Sequence, residues 1–425
     1  MIFGIPMEFF LFGFTLLGVA LFHDHTLKVA LIGLLIVVSY KLFGVGFARG
    51  HGFDGFVSHM AHEWVILTNL LCLLVGFALL SNHFEKSEIP AVLPNYLPDD
   101  WKGGFVLLIS VFVLSAFLDN IAAALIGGAV AQTVFRGKVH TGYLVAIVAA
   151  SNGGGSGSVV GDTTTTMMWL AGISPIAVLP AYFAAVPALI FFGIFASLQQ
   201  DKFHPILKDA TRGAKVDWAH LCIAGTILLS AVVVNIYVNT ELGEAGQKFP
   251  FLGATVILIT LITAALRKPD WSLVPGAMKG AVFLLSLVLI ASLMPVDHLP
   301  KASWQSAFGL GFISAVFDNI PLTALAINQG GYDWGLLAYA VGFGGSMIWF
   351  GSSAGVALAS MFPQARSVGS WLRSGWHVTV AYILGFMIAL SIIGWNPTPK
   401  RSLGSLEPTM LVSYNFNNGE MKWQI

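Results

Sequence analysis

Ser115-Ala116-Phe117-Leu118-Asp119-Asn120-Ile121 returns later in the chain, with two substitutions, as Ser314-Ala315-Val316-Phe317-Asp318-Asn319-Ile320. A glycine-rich break follows each copy. The first is Gly154-Gly155-Ser156, then Gly161; the second is Gly344-Gly345-Ser346, then Gly351. Both copies lie in strongly apolar sequence. A repeated acid-amide pair with a repeated glycine break in apolar segments is the pattern of a transporter built from two structural repeats.

Composition agrees with a membrane environment. Hydrophobic residues make up 56% of the 425 and charged residues 10%, with a mean hydropathy of +0.80. Average soluble domains carry about 25% charged residues. The formal net charge is zero, so nothing points to nucleic acid as a partner; the lipid bilayer is the expected one. The first apolar run contains Glu8 but has no basic start and no small-residue cleavage site, so it reads as a span and not as a signal peptide. Cys72 and Cys222 both fall in apolar runs and read as buried packing thiols. No Walker sequence occurs, so an ion gradient, not ATP, is the expected energy source.

The apolar pattern predicts an all-α polytopic membrane protein with about ten transmembrane helices. Spans fall near 1–22, 26–48, 61–82, 142–172, 176–199, 218–239, 250–267, 277–295, 334–362 and 376–395. Residues 103–134 do not fit a single span: as one helix they would be about 48 Å long at ~1.5 Å per residue, against a hydrocarbon core of ~30 Å. A re-entrant hairpin turning at Asp119-Asn120 solves this, and 303–331 reads the same way around Asp318-Asn319. The glycine-rich spans 142–172 and 334–362 read as broken helices, with Ser151–Ser158 unwound and facing protein or a water-filled cavity. The domain plan is N-terminal helices at 1–48, a first repeat at 55–215, connecting helices at 218–267, a second repeat at 275–395 and a polar tail at 396–425.

Lys and Arg set the orientation. Fourteen of them, including Lys86, Lys102, Arg136, Lys138, Lys202, Arg267 and Lys279, fall on one side of this layout. Six fall on the other: Arg49, Lys248, Lys301, Lys400, Arg401 and Lys422. The richer side is assigned to the cytoplasm. The first hairpin then enters from inside and the second from outside, so the two repeats are inverted. A bacterial inner (plasma) membrane is the expected location.

Both hairpin tips and both breaks are expected to meet near the bilayer midplane. That zone contains Asp119, Asp162 and Asp318, with no Lys or Arg in the four segments. A carboxylate there costs ~2.5–3.5 kcal/mol on insertion scales, so each needs a purpose. Its natural partners are a proton or a small hard cation. Asn120, Asn319, Asn152, Ser156, Ser158, Thr163 and Thr164 offer oxygens, and Ser346 repeats Ser156. Exposed helix N-termini at the breaks would equally attract an anion, so the architecture alone admits either sign of substrate. Structural alternatives stand beside these readings: Asp-Asn is a good turn pair, and Asp162 before four threonines can be a helix cap. Ser352 stands where Asp162 would repeat, so the halves are not chemically equivalent. His59 and Glu63, four apart on one helix face, read as a proton relay or pH-sensing pair, or as a structural pair.

Ala150-Ser151-Asn152-Gly153-Gly154-Gly155-Ser156 and Gly161-Asp162-Thr163-Thr164-Thr165-Thr166-Met167-Met168-Trp169 resemble the signature of NhaD-type sodium/proton antiporters. Ser314 to Leu322, with Gly344-Gly345-Ser346-Met347 and Gly351-Ser352-Ser353-Ala354-Gly355-Val356, resemble that family's second-half motifs. The family lies in the ion transporter superfamily, which also contains arsenite, citrate and dicarboxylate carriers. The resemblance implies inverted repeats, a homodimer, and ion-site roles for Asp119, Asn120, Asp162, Asp318 and Asn319. It implies sodium on Asp119, Asn120 and Asp162. After Asp119-Asn120 that family carries threonines, whereas Ile121-Ala122-Ala123-Ala124 follow here, which removes hydroxyl ligands.

Exchange of sodium (or lithium) for protons at buried carboxylates is therefore the first functional expectation. No cofactor is expected, with sodium and protons as the transported or coupling ions. The alternative is cation-coupled uptake of citrate or another carboxylate, although no basic residue waits at the centre to hold it. An intramembrane aspartyl protease using Asp119 and Asp162 is a further reading. It lacks the expected Gly-x-Gly-Asp before Asp162 and gives Asp318 no role. No enzymatic activity is expected.

Overall fold

In a computed structural model of the chain, the described residues are 5–22, 25–48, 50–88, 92, 97–206, 216–242, 248–398, 413–414 and 421–422. The architecture is helical. Helices α1 (Met7–Leu21) and α2 (Thr26–Tyr40) form an antiparallel pair, α2 running on through a π-helical turn at Lys41–Val45. Helix α3 (Gly52–Lys86) begins nine residues before the expected span. The chain then folds through α4 (Trp101–Ser115), α5 (Asn120–Val134), α6 (Thr141–Gly155), α7 (Thr163–Leu170), α8 (Pro175–Val178) and α9 (Tyr182–Phe203). Helices α10 (Trp218–Tyr237) and α11 (Phe251–Thr263) follow. The second half continues with α12 (Val274–Ser292), α13 (Trp304–Ser314), α14 (Asn319–Gln329), α15 (Trp334–Gly344), α16 (Ser353–Met361), α17 (Val368–Ser374) and α18 (Trp376–Ile393). In the polar tail, Ser413–Tyr414 and Met421–Lys422 form a short antiparallel pair; the rest of the tail lies outside the described residues.

Among the described residues five helices are long and apolar enough to cross a membrane: Thr26–Val45, Gly52–Lys86, Pro175–Phe203, Trp271–Ser292 and Trp376–Ile393. The other apolar helices are shorter, among them α4, α5, α11 and α15. Short helices are the physical consequence of turning or breaking inside an apolar stretch.

The turns are chemically specified. Helix α4 stops at Ser115, and Asp119 starts α5 as its N-cap, its side chain accepting from Ile121 N. Asp318 does the same for α14, accepting from Ile320 N at 3.0 Å. The two caps adopt nearly identical dihedrals, φ −51° and ψ 139° for Asp119 and φ −51° and ψ 140° for Asp318. At the far end of each hairpin, Asp100 caps α4 and a Ser303–Ser306 capping box opens α13. Such caps satisfy helix-end N–H groups that apolar surroundings cannot.

The breaks fall later than the glycine content predicts. Residues 151–155 are helical, and the irregular backbone occupies 156–162 in the first half and 345–352 in the second. The glycines serve close packing instead. A Cβ on Gly154 would run into the Phe112 carbonyl of α4, and one on Gly344 into the Gly311 carbonyl of α13. Fully enclosed by neighbouring helices, these glycines need no water to stay helical.

The same contacts recur in both halves. Ser115 Oγ donates to Ser151 O at 2.5 Å, and Ser314 Oγ donates to Val341 O at 2.7 Å. Helix α4 packs on α6 as α13 packs on α15. The halves also exchange elements: α5 packs on α16 and α14 on α7, while α2 packs on α12 and α11 on α3. Helices α9 and α18 close the contact between the halves.

Candidate functional site

The repeated packing brings the two helix breaks side by side, and Asn152 is the link between them. It sits on the last turn of α6, fully buried. Its Nδ2 donates to Ser346 Oγ at 2.9 Å and to Ser352 Oγ at 3.0 Å, both in the second break. Its Oδ1 accepts from Asn120 Nδ2 at 3.1 Å. Asn120 Nδ2 also donates to Asp162 Oδ1 at 3.0 Å. One amide-carboxylate chain thus runs from the second break, through Asn152 and Asn120 of the first hairpin tip, to Asp162 in the first break.

Asp162 is only 2% exposed. It occupies the N-cap position of α7, yet its carboxylate does not cap the helix. Its oxygens take Asn120 Nδ2 and the Thr164 hydroxyl. The threonine run has a local purpose. Thr165 and Thr166 hydroxyls donate to the Asp162 carbonyl, each at 2.9 Å, and Thr166 also donates to Val159 O at 2.9 Å. The Asp162 carbonyl also takes the Thr166 N–H, so two of the four threonines brace the backbone at the start of α7 while Thr164 serves the carboxylate.

Asp119 is half-buried and opens onto a cavity of about 510 Å³ that it shares with Asn120, Asp162, Thr163 and Asn319. Asp119 and Asp162 are near enough for their charges to interact. Asn120 spends its Nδ2 on Asp162 and Asn152, which leaves an amide oxygen as its acceptor. The first half-site therefore offers two carboxylates and neutral oxygens, with no Lys or Arg among the described residues lining the cavity.

Asp318 departs from the single-pocket expectation. It lines a second cavity of about 240 Å³, with Phe317, Phe350 and Ser353. Its Oδ2 accepts from Ser353 Oγ at 3.2 Å. Ile121 and Ser353 line both cavities and form the partition between them. Ser352 stands in place of Asp162, so the second half has no acid to hold Asn319 as Asp162 holds Asn120, and among the described residues Asn319, 3% exposed, keeps an Nδ2 without a partner. Asp162 and Asp318 remain close enough to interact electrostatically. Among the described residues no cluster of three His, Cys, Asp or Glu side chains is arranged to hold a metal ion. A cation in this region therefore relies on neutral oxygens beside the acids.

Ser156 and Ser346 differ in role despite their matched positions. Ser156 Oγ donates to Gly153 O at 2.8 Å, back onto its own helix, whereas Ser346 accepts from Asn152. His59 lies within α3, 8% exposed, with Nε2 3.0 Å from Ser292 Oγ at the end of α12. That contact joins α3 to α12, and neither His59 nor Glu63 is among the residues lining the large cavity. Glu8 has the partner that sequence reading left unassigned: Lys41 Nζ lies 3.0 Å from Glu8 Oε1, both side chains about one-tenth exposed or less. The antiparallel α1–α2 pair sets the first turn of one beside the end of the other, and that signal was present in the sequence. Both cysteines are free, and Cys222 is exposed on α10, not buried.

No family model matches the sequence. The chain is similar to sodium/proton antiporter 1 of Arabidopsis thaliana, 26% identical over 352 residues, which are 73% of this chain and 58% of the plant protein. It spans less than two thirds of that protein's length. The likeness is to a transporter and not to an enzyme, and the apolar helices support an integral membrane protein.

Proposed function

We propose that this chain exchanges sodium (or lithium) for protons across a membrane, by competition of the two ions for Asp119 and Asp162. The observation that carries the reading is the pairing of an enclosed acid with an accessible one. Asp162 is almost sealed, and Asn120 and Thr164 are bonded to it. Asp119 stands beside it on the open cavity. Burying two like charges without a counter-ion is unfavourable. A proton on one acid, or a sodium ion shared between them, relieves the same penalty. Either ion then excludes the other.

The finer assignment rests on the motifs. The resemblance to NhaD-type antiporters of the ion transporter superfamily accounts for Asp119-Asn120 and Asp318-Asn319 at hairpin tips and for Asp162 at a break. The duplicated caps, glycine contacts and exchanged helix packing support two equivalent halves, and the distribution of Lys and Arg supports their inversion. Asp318 acts in this scheme from the neighbouring cavity, across the Ile121–Ser353 partition, while Asn319 lines the large cavity itself. His59 and Glu63 serve as a relay or pH-sensing pair on α3, with His59 reaching α12 through Ser292. Coupled uptake of citrate is disfavoured by acids, and no bases, lining the cavity.

A sodium jump across proteoliposomes containing the purified protein tests the proposal. It is expected to drive counter-flow of protons without citrate. Asp119→Asn and Asp162→Asn are each expected to abolish that flux while the protein stays folded and inserted. Flux retained in both variants, or sodium movement that requires citrate, would overturn the reading.

A further inference from the structure

The cavity above Asp119 is much larger than a sodium ion needs, and most of its wall is apolar. Leu70, Leu73, Leu74 and Phe77 of α3 face it from one side, with Leu125 of α5 and Leu284 of α12. About 510 Å³ falls within the range of small-molecule sites, ~300–1,000 Å³. Hydrated ions gain nothing from leucine walls; an apolar body does. The room is made by α12, where Gly276, Ala277, Gly280 and Ala281 line the cavity. A Cβ at Gly276 or Gly280 would meet nothing within 4 Å. At the polar end, Asp119 and Asp162 offer negative charge, no Lys or Arg lines the wall, and buried Asn319 has an Nδ2 without a partner.

We propose that this cavity binds a hydrophobic organic cation, with an ammonium or guanidinium head at Asp119 and an aryl or alkyl body between α3 and α12. The head takes the place of sodium, and an acceptor atom next to it takes the Asn319 amide. Such a ligand occupies the ion site from the cavity side and so competes with sodium. Only the competition rests on the exchange reading; binding itself needs no ion movement.

Titration calorimetry of the purified protein, with no ion gradient, compares four probes. Phenethylamine carries charge and body, phenylalaninamide adds an acceptor, 2-phenylethanol lacks the charge, and methylammonium lacks the body. Phenethylamine is expected to bind about tenfold or more tighter than either single-feature probe, a step of ~1.4 kcal/mol per tenfold. Phenylalaninamide is expected to bind tighter still, and Asn319→Ala to remove that extra gain. Asp119→Asn should weaken phenethylamine at least to the level of 2-phenylethanol. Gly280→Leu, or Ala277→Leu as a second filling variant, should weaken phenethylamine but not methylammonium. Added sodium should raise the apparent dissociation constant of phenethylamine. If 2-phenylethanol binds as well as phenethylamine, the cavity is a site for neutral chains such as lipid tails and the proposal fails. It fails equally if neither filling variant affects phenethylamine. Sodium-driven proton flux without probe binding would sink this inference and leave the exchange reading standing.

Discussion

Asn152 shows how much a single side chain can decide. It has no charge, yet it joins Asn120 to Ser346 and Ser352 and so ties the first hairpin tip to the second break. Replacing it by alanine leaves two hydroxyls and an amide proton buried with fewer partners, at a cost of about 1–3 kcal/mol for a group left unsatisfied. Asn152→Ala is therefore expected to lower the thermal unfolding temperature in detergent and to weaken sodium-driven proton flux, because Asn120 is no longer oriented toward Asp162. Unchanged unfolding and unchanged flux would show that the bridge positions nothing. The acid-amide pairs were legible in the sequence from their repetition, and Asp162 as an acid beside a glycine-rich break with no Lys or Arg in its segment. Ser352 and Ser353 were not. Serine is common in membrane helices, and nothing in its spacing distinguishes a hydroxyl that meets Asn152 or Asp318 from one that closes on its own helix, as Ser156 does.

The elements were legible where length conflicts with membrane thickness, and less so where packing decides. The stretches 103–134 and 303–331 were too long for one crossing, and each turns at its Asp-Asn pair. The glycine runs were harder, because glycine marks both unwinding and close approach. Gly153 and Gly154 stay helical with Phe112 of α4 packed against them, a contact between distant segments that local sequence does not carry. Gly154→Ala and Gly344→Ala should each disrupt folding, since the new Cβ meets a backbone carbonyl that cannot swing away. Gly276→Ala, on open space, should leave the unfolding temperature unchanged. Equal tolerance of all three would refute this account of the repeat. The Glu8–Lys41 pair between α1 and α2 makes a second test at this scale. Removing one partner leaves the other charge buried alone, for about 3–5 kcal/mol, whereas apolar replacement of both is often nearly neutral. Glu8→Leu and Lys41→Met are each expected to reduce stability more than the double variant does, measured by thermal unfolding. A double variant as unstable as the two single losses combined would mean that the pair is not coupled.

At the scale of the whole molecule, the exchange of elements between halves is the organising fact. The domain plan read from the sequence set 1–48 and 218–267 apart from the repeats. In the fold α2 lies on α12 and α11 on α3. The leading pairs α1–α2 and α10–α11 thus take matching places against the opposite half. Sequence could not suggest this, because the leading pairs share no motif and are recognised only by what they pack against. Inversion of the halves is a separate matter, carried by the charge distribution. Arg136 follows the first hairpin, Lys301 precedes the second, and both are exposed. Inverted repeats place these two positions on opposite faces of the membrane; parallel repeats place them on the same face. In a background with Cys72 and Cys222 replaced by alanine, Arg136→Cys should react with an impermeant maleimide only from the cytoplasmic face. Lys301→Cys should react only from the outside. Ser272→Cys, one α12 crossing before Lys301, should follow Arg136. Labelling of Arg136→Cys and Lys301→Cys from one face would make the halves parallel. The two acids at the hairpin tips would then be reached from the same side, and a mechanism of opposed access would lose its structural basis.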